Sequence, residues 1–148
     1  MTPIVKLALA CVGMAVIAGF GASARLSQAD SPVLYDMVTE TGMPHLEENL
    51  RYTTTRGQRC LTRNDLLTSF PILRHESLQD CTLGRPDAGS GVRTMPLLCT
   101  GAHGTTGRAQ WEFGESNIIG TLNVKLGGKN MTFYQRITAT RLGECVRR

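Results

Sequence analysis

An uncharged run of eighteen residues, Leu7 to Ala24 (LALACVGMAVIAGFGASA), directly follows Lys6 and ends on the small-residue triplet Ala22-Ser23-Ala24. A cationic start, an apolar middle and an A-x-A-like end are the three parts of a secretory signal peptide. This reading fixes the conditions under which the rest of the chain folds. Residues 1–24 are removed after Ala24, residues 25–32 (RLSQADSP) form a polar linker, and residues 33–148 make a single domain in the periplasm or cell envelope. Two alternatives stay open. Eighteen apolar residues reach the lower limit for spanning about 30 Å of hydrocarbon, so an uncleaved segment would be an anchor and the chain's only membrane contact. Cys11, preceded by Ala8-Leu9-Ala10, is a lipidation candidate, although a lipobox prefers a larger aliphatic residue than Ala8.

Beyond the leader the cysteines are Cys60, Cys81, Cys99 and Cys145. An even number in a small exported domain reads as two disulfides, and the absence of any C-x-x-C pair argues against a zinc ribbon. The run Pro86-Asp87-Ala88-Gly89-Ser90-Gly91 is a turn or loop by composition, flanked by strands expected over residues 78–85 and 92–100. A turn centred on Ser90 sets Cys81 and Cys99, equidistant from it, directly opposite each other at a separation that a disulfide can bridge. Cys60 and Cys145 then remain for each other; a different turn centre would give either of the other two connectivities.

The rest of the domain reads as strands. Residues 49–56 (NLRYTTTR) alternate Leu50, Tyr52 and Thr54 against Arg51, Thr53 and Thr55, with the first set expected inside and the arginine face wet. Ala109, Trp111 and Phe113 share one face. So do Ile118, Leu122, Val124 and Leu126, with Gly120 in phase between them, and then Met131, Phe133, Ile137 and Ala139. Gly114-Glu115-Ser116-Asn117 and Gly127-Gly128-Lys129-Asn130 turn the chain between these strands. One helix is expected, Arg63–Ser69, opened by Thr62 and Asp65 as a capping box and stopped by Pro71. Strands recurring about every 10 residues predict an all-β fold: an antiparallel, strongly curved sheet or partial barrel with one short helix and two disulfides.

Sixteen Lys and Arg against twelve Asp and Glu give a net charge of +4, too mild and too mixed for a nucleic-acid footprint. The order is more informative. Asp30, Asp36, Glu40, Glu47 and Glu48 come first, then Arg51, Arg56, Arg59 and Arg63 with no acid until Asp65. If Val33–Thr41 pairs with Leu50–Gln58, opposite charges face each other across the hairpin; the other reading is a charged patch that docks a partner.

Gln58-Arg59-Cys60-Leu61-Thr62, then Cys81, then Cys99-Thr100-Gly101, a glycine-punctuated strand pair and a final Arg141-Leu142-Gly143-Glu144-Cys145 follow one another in this chain. The order resembles the bacterial family catalogued as domain of unknown function 3617, over about residues 32–145. The resemblance implies export and structural bridges at the four cysteines, and it implies no activity, substrate or ligand. The family usually opens on Gly-Leu-Trp, where this chain has Val33-Leu34-Tyr35.

Searching for chemistry yields little. The three histidines are His45, His75 and His103; His45 with Glu47 and Glu48 reads as a solvated turn rather than a metal site. Gly89-Ser90-Gly91 lacks the strand-to-helix setting of a nucleophile elbow. Gly101–Gly107 lacks the lysine and helix of a phosphate loop, and Asn130-Met131-Thr132 is a sequon by pattern alone. No catalytic, cofactor or metal residues are expected, and the expected role is a non-enzymatic binding or structural module. Two alternatives are a small envelope thiol or redox enzyme using Cys60, which precedes the short helix, and a carrier whose apolar face (Trp111, Phe113, Ile118, Leu122, Val124, Met131, Phe133 and Ile137) lines a cavity. The partner would then be an apolar envelope ligand or an envelope protein.

Overall fold

The structure, a computed structural model, describes residues 30–43, 52–87, 89, 91–101, 104–128 and 131–145. The leader, most of the linker, His45, Glu47, Glu48, Ser90, His103 and Asn130 lie outside the described residues. Seven antiparallel strands form one curled sheet, an open half-barrel: β1 (Val33–Gly42), β2 (Tyr52–Leu61), β3 (Cys81–Leu83), β4 (Val92–Cys99), β5 (Thr106–Phe113), β6 (Asn117–Leu126) and β7 (Met131–Glu144). Their order across the sheet is β2-β1-β7-β6-β5-β4-β3, so β7, the last strand, lies beside β1, the first. Helix α1 (Arg63–Leu67) and two single-turn 3-10 segments, Pro71–Arg74 and Glu76–Leu78, connect β2 to β3. The sequence predicts the fold class, and the structure has it.

The period-2 patterns become the inner face. Ala109 and Trp111 on β5, Leu122 and Val124 on β6, and Phe133, Ile137 and Ala139 on β7 are buried, joined by Tyr35 and Met37 from β1. α1 closes this face with Leu66 and Leu67, and Phe70 and Leu78 follow from the 3-10 region. The capping box forms: Thr62 Oγ1 accepts from the Asp65 N–H at 3.1 Å, and Asp65 Oδ2 accepts from the Thr62 N–H at 3.3 Å. Trp111 is the centre of the core. It is fully buried, its ring centroid is 5.1 Å from that of Phe70, and its Nε1–H donates to the Leu67 carbonyl at 3.0 Å.

Gly120 faces Trp111 across the β5–β6 pair because nothing larger fits there. A Cβ on Gly120 would lie 2.5 Å from the indole ring, which is itself hemmed in. Gly120→Ala is therefore expected to cost about 1–3 kcal/mol of stability in denaturant unfolding, as overpacked cores do. A loss well under that range would show that the indole has room to shift.

Cys81 stands opposite Cys99 in the β3–β4 register and is bonded to it. The second disulfide joins Cys60 of β2 to Cys145, just past β7. It reaches across β1, whose Leu34 pairs with Cys60 on one side and Gly143 on the other. A bulge leaves Leu142 unpaired at this point, and Gly143 takes φ +148°, a conformation that glycine accepts without strain.

The β1–β2 hairpin differs from expectation. Val33 pairs with Leu61, not Gln58, an odd shift of register that exchanges the two faces of β2. Tyr52 and Thr54, expected inside, stand on the outer face, and Tyr52 is 60% exposed. Thr53 and Thr55 occupy the inner face but are exposed too, because among the described residues no element covers this part of β2. The expected charge complementarity is met, among the described residues, by one pair: Arg56 Nε donates to both Asp36 carboxylate oxygens at 3.1 Å, and its Nη2 also donates to Oδ2. This hydrogen bonding holds the Asp36 carboxyl below its ordinary value, although both groups remain at the surface. The segment expected as a strand over residues 78–85 shortens to Cys81–Leu83, its start being taken by the second 3-10 turn.

Candidate functional site

The hollow of the half-barrel is not a ligand chamber. Trp111, Phe70, Leu66, Leu78, Leu122 and Ile137 fill it and are all fully buried. The apolar residues proposed to line a cavity are instead, for the most part, the core. One apolar opening left beside the core lies at one end of the sheet, between the 3-10 segments and the β6–β7 hairpin.

There a cleft of about 200 Å³ opens, walled by Ile72 and Leu78 on one side and by Leu126, Met131 and Phe133 on the other, with Met43 at the end of β1. His75, Ser77 and Thr132 supply its polar groups. The helical wall is held in place by the sheet. Gln135, buried on β7, accepts from the Ile72 N–H through Oε1 at 3.2 Å and donates through Nε2 to Thr41 Oγ1 at 2.8 Å. A buried amide satisfied at both ends fixes the elements it joins. The next turn is fixed by His75, whose Nδ1 accepts from the Ser77 N–H at 3.2 Å.

A second, more polar cleft of about 280 Å³ sits elsewhere on the surface, lined among others by Tyr35, Arg63, Phe113, Glu115 and Arg141. The Arg63 guanidinium carbon lies 4.2 Å from the Phe113 ring centroid, and Arg63 N–H donates to Asp30 Oδ2 at 2.8 Å. Its arginines are matched by Asp30 and Glu115, so it offers no strong charge of either sign.

Of the residues singled out in the sequence, Leu126, Met131 and Phe133 reach the apolar cleft, and His75 joins them. Cys60, the candidate thiol, is bonded to Cys145. Among the described residues no three His, Cys, Asp or Glu side chains gather as metal ligands, and no helix is long and apolar enough to cross a membrane. Met43, Ile72 and Leu78 were not singled out in the sequence as site residues: they come from separate elements, and no spacing signals that they meet. No protein-family model, curated protein or solved structure matches the chain.

Proposed function

We propose that this chain is an exported, non-enzymatic binding module that holds the end of a short acyl chain in the cleft between the 3-10 segments and the β6–β7 hairpin. The observation that carries the reading is an apolar opening, bounded by Met43, Ile72, Leu78, Leu126, Met131 and Phe133, at the edge of an otherwise filled core. Its volume of about 200 Å³ lies below the roughly 300 Å³ at which pockets enclose whole drug-sized molecules. It suits a chain end, not an entire lipid. Two methionines among the walls add an adaptable lining. Two disulfides in so small a domain are in keeping with an oxidising compartment.

Burying four or five methylenes at about 0.8 kcal/mol each gives about 3–4 kcal/mol, hence a dissociation constant near the millimolar range. Titration of the protein with sodium octanoate, followed through its methyl resonances, is expected to shift Met43, Ile72 and Met131 along one saturable curve. Ile72→Trp, which fills the cleft from its wall, is expected to abolish that curve. Shifts that never saturate, or that persist in the tryptophan variant, would end the proposal.

A further inference from the structure

An open sheet has two edges, and this one treats them differently. The β3 edge is three residues long, is bonded to β4 through Cys81–Cys99, and runs on towards Pro86. Short length and a nearby proline are the usual means of stopping an edge from pairing with another chain. The β2 edge has neither. It runs ten residues, Tyr52–Leu61, with no proline and no bulge in its register with β1. Every residue from Tyr52 to Cys60 is exposed, and among the described residues no strand pairs with its far side. A row of main-chain donors and acceptors is therefore open along it.

What can occupy that row follows from its charge. From Arg51 to Asn64 the chain has cations and no acid. A second copy laid antiparallel on β2 would add further arginines and no acid in either strand to answer them. The uncompensated positive charge thus disfavours a second copy and favours a strand of the opposite charge. Arg56 on the outer face is already engaged by Asp36. Arg59, opposite Tyr35 on the inner face, forms no ion pair among the described residues.

The inner face beside Arg59 also has room. A groove of about 180 Å³ runs between β2 and the Ser69–Pro71 stretch, with Met37, Thr55 and Gly57 along it. A Cβ built on Gly57 would meet nothing within 4 Å, so a side chain from an added strand can settle over that position.

We propose that the β2 edge is an interaction surface that receives an extended acidic segment of a partner protein as an eighth strand, with Arg59 facing a carboxylate of that segment. Main-chain pairing supplies affinity, as in other strand-addition complexes, and the arginine supplies selection. This surface is separate from the acyl cleft, and the two stand or fall independently.

The test uses the whole protein and three blocked peptides: one alternating Glu and Val, one alternating Lys and Val, and the Glu-Val peptide with prolines at alternate positions. Binding is read by fluorescence anisotropy, and its location by hydrogen exchange. The Glu-Val peptide is expected to bind about tenfold more tightly than the Lys-Val peptide at low salt and to slow exchange along residues 52–60. The proline peptide, unable to donate, is expected to fail. Arg59→Glu is expected to weaken the Glu-Val peptide about tenfold and to favour the Lys-Val peptide; Arg59→Ala is expected to fall between. Both variants alter an exposed side chain and leave the β1–β2 pairing intact. Equal binding of the two charged peptides, protection elsewhere in the sheet, indifference to the Arg59 variants, or self-association of the free protein through β2 would each overturn the proposal.

Discussion

Trp111→Ala is expected to lower the unfolding free energy by about 3–5 kcal/mol, the range for truncating a fully buried tryptophan. Two losses combine. The indole fills the space between Phe70 and Gly120, and its removal leaves a cavity that the stapled sheet cannot collapse around. Its Nε1–H also satisfies the Leu67 carbonyl, one of the carbonyls at the C-terminal end of α1 that the helix itself leaves open. Since domains of this size are stable by about 5–15 kcal/mol, the variant sits near the limit of folding. Trp111→Phe separates the two losses: it keeps most of the volume and forfeits the hydrogen bond, with an expected cost of about 1–3 kcal/mol. Denaturant midpoints of the three proteins at equal slope decide the matter. An alanine variant less than about 1 kcal/mol below the parent would mean that Trp111 is not what holds α1 to the sheet.

Removing the Cys60–Cys145 bond, by Cys60→Ser with Cys145→Ser, is expected to cost about 4–5 kcal/mol, and removing Cys81–Cys99 about 3 kcal/mol. The sequence separations of 85 and 18 residues are the reason. A bond restricts the unfolded chain more when it closes a longer loop, and this difference in length corresponds to about 1.4 kcal/mol. The long bond also ties an edge strand across β1 to the far end of β7. Unfolding curves of the two double-serine proteins, recorded with the remaining disulfide intact, are expected to place the Cys60/Cys145 variant lower. The opposite order would show that native packing around β3, not loop closure, sets the larger contribution.

The parts of this fold that the sequence reveals are those governed by local chemistry. Alternation identifies the inner faces of β5, β6 and β7, because Trp111, Leu122, Val124 and Ile137 leave only one side to bury. Thr62 and Asp65 announce α1, and the turn composition of residues 86–91 predicts the register that sets Cys81 opposite Cys99. β2 is different. Alternation says that Tyr52 and Thr54 share a face, but which face is covered depends on β1, whose Tyr35 and Met37 commit the inner side. An edge strand that overhangs the core has no burial of its own to correct the guess. The 3-10 turns around Ile72 and Leu78 carry only Pro71 as a local signal, and their place is set by Gln135, more than sixty residues away in sequence. Hence the apolar cleft is a product of tertiary contacts, and Leu126, Met131 and Phe133 are its legible half.

The placement of the first strand against the last has a bearing on time as well as on shape. β3 to β7 form a meander of neighbouring hairpins, each of which can close as soon as its two strands are both free to fold. β1 and β2 are also near in sequence, yet one side of β1 stays bare until β7, its partner more than ninety residues on, joins it. Before that contact the folding chain thus holds a meander and a waiting hairpin. The seam between β1 and β7 is the step that unites them, and the bond from Cys60 to Cys145 can lock only after it. The oldest part of the molecule is completed by the youngest.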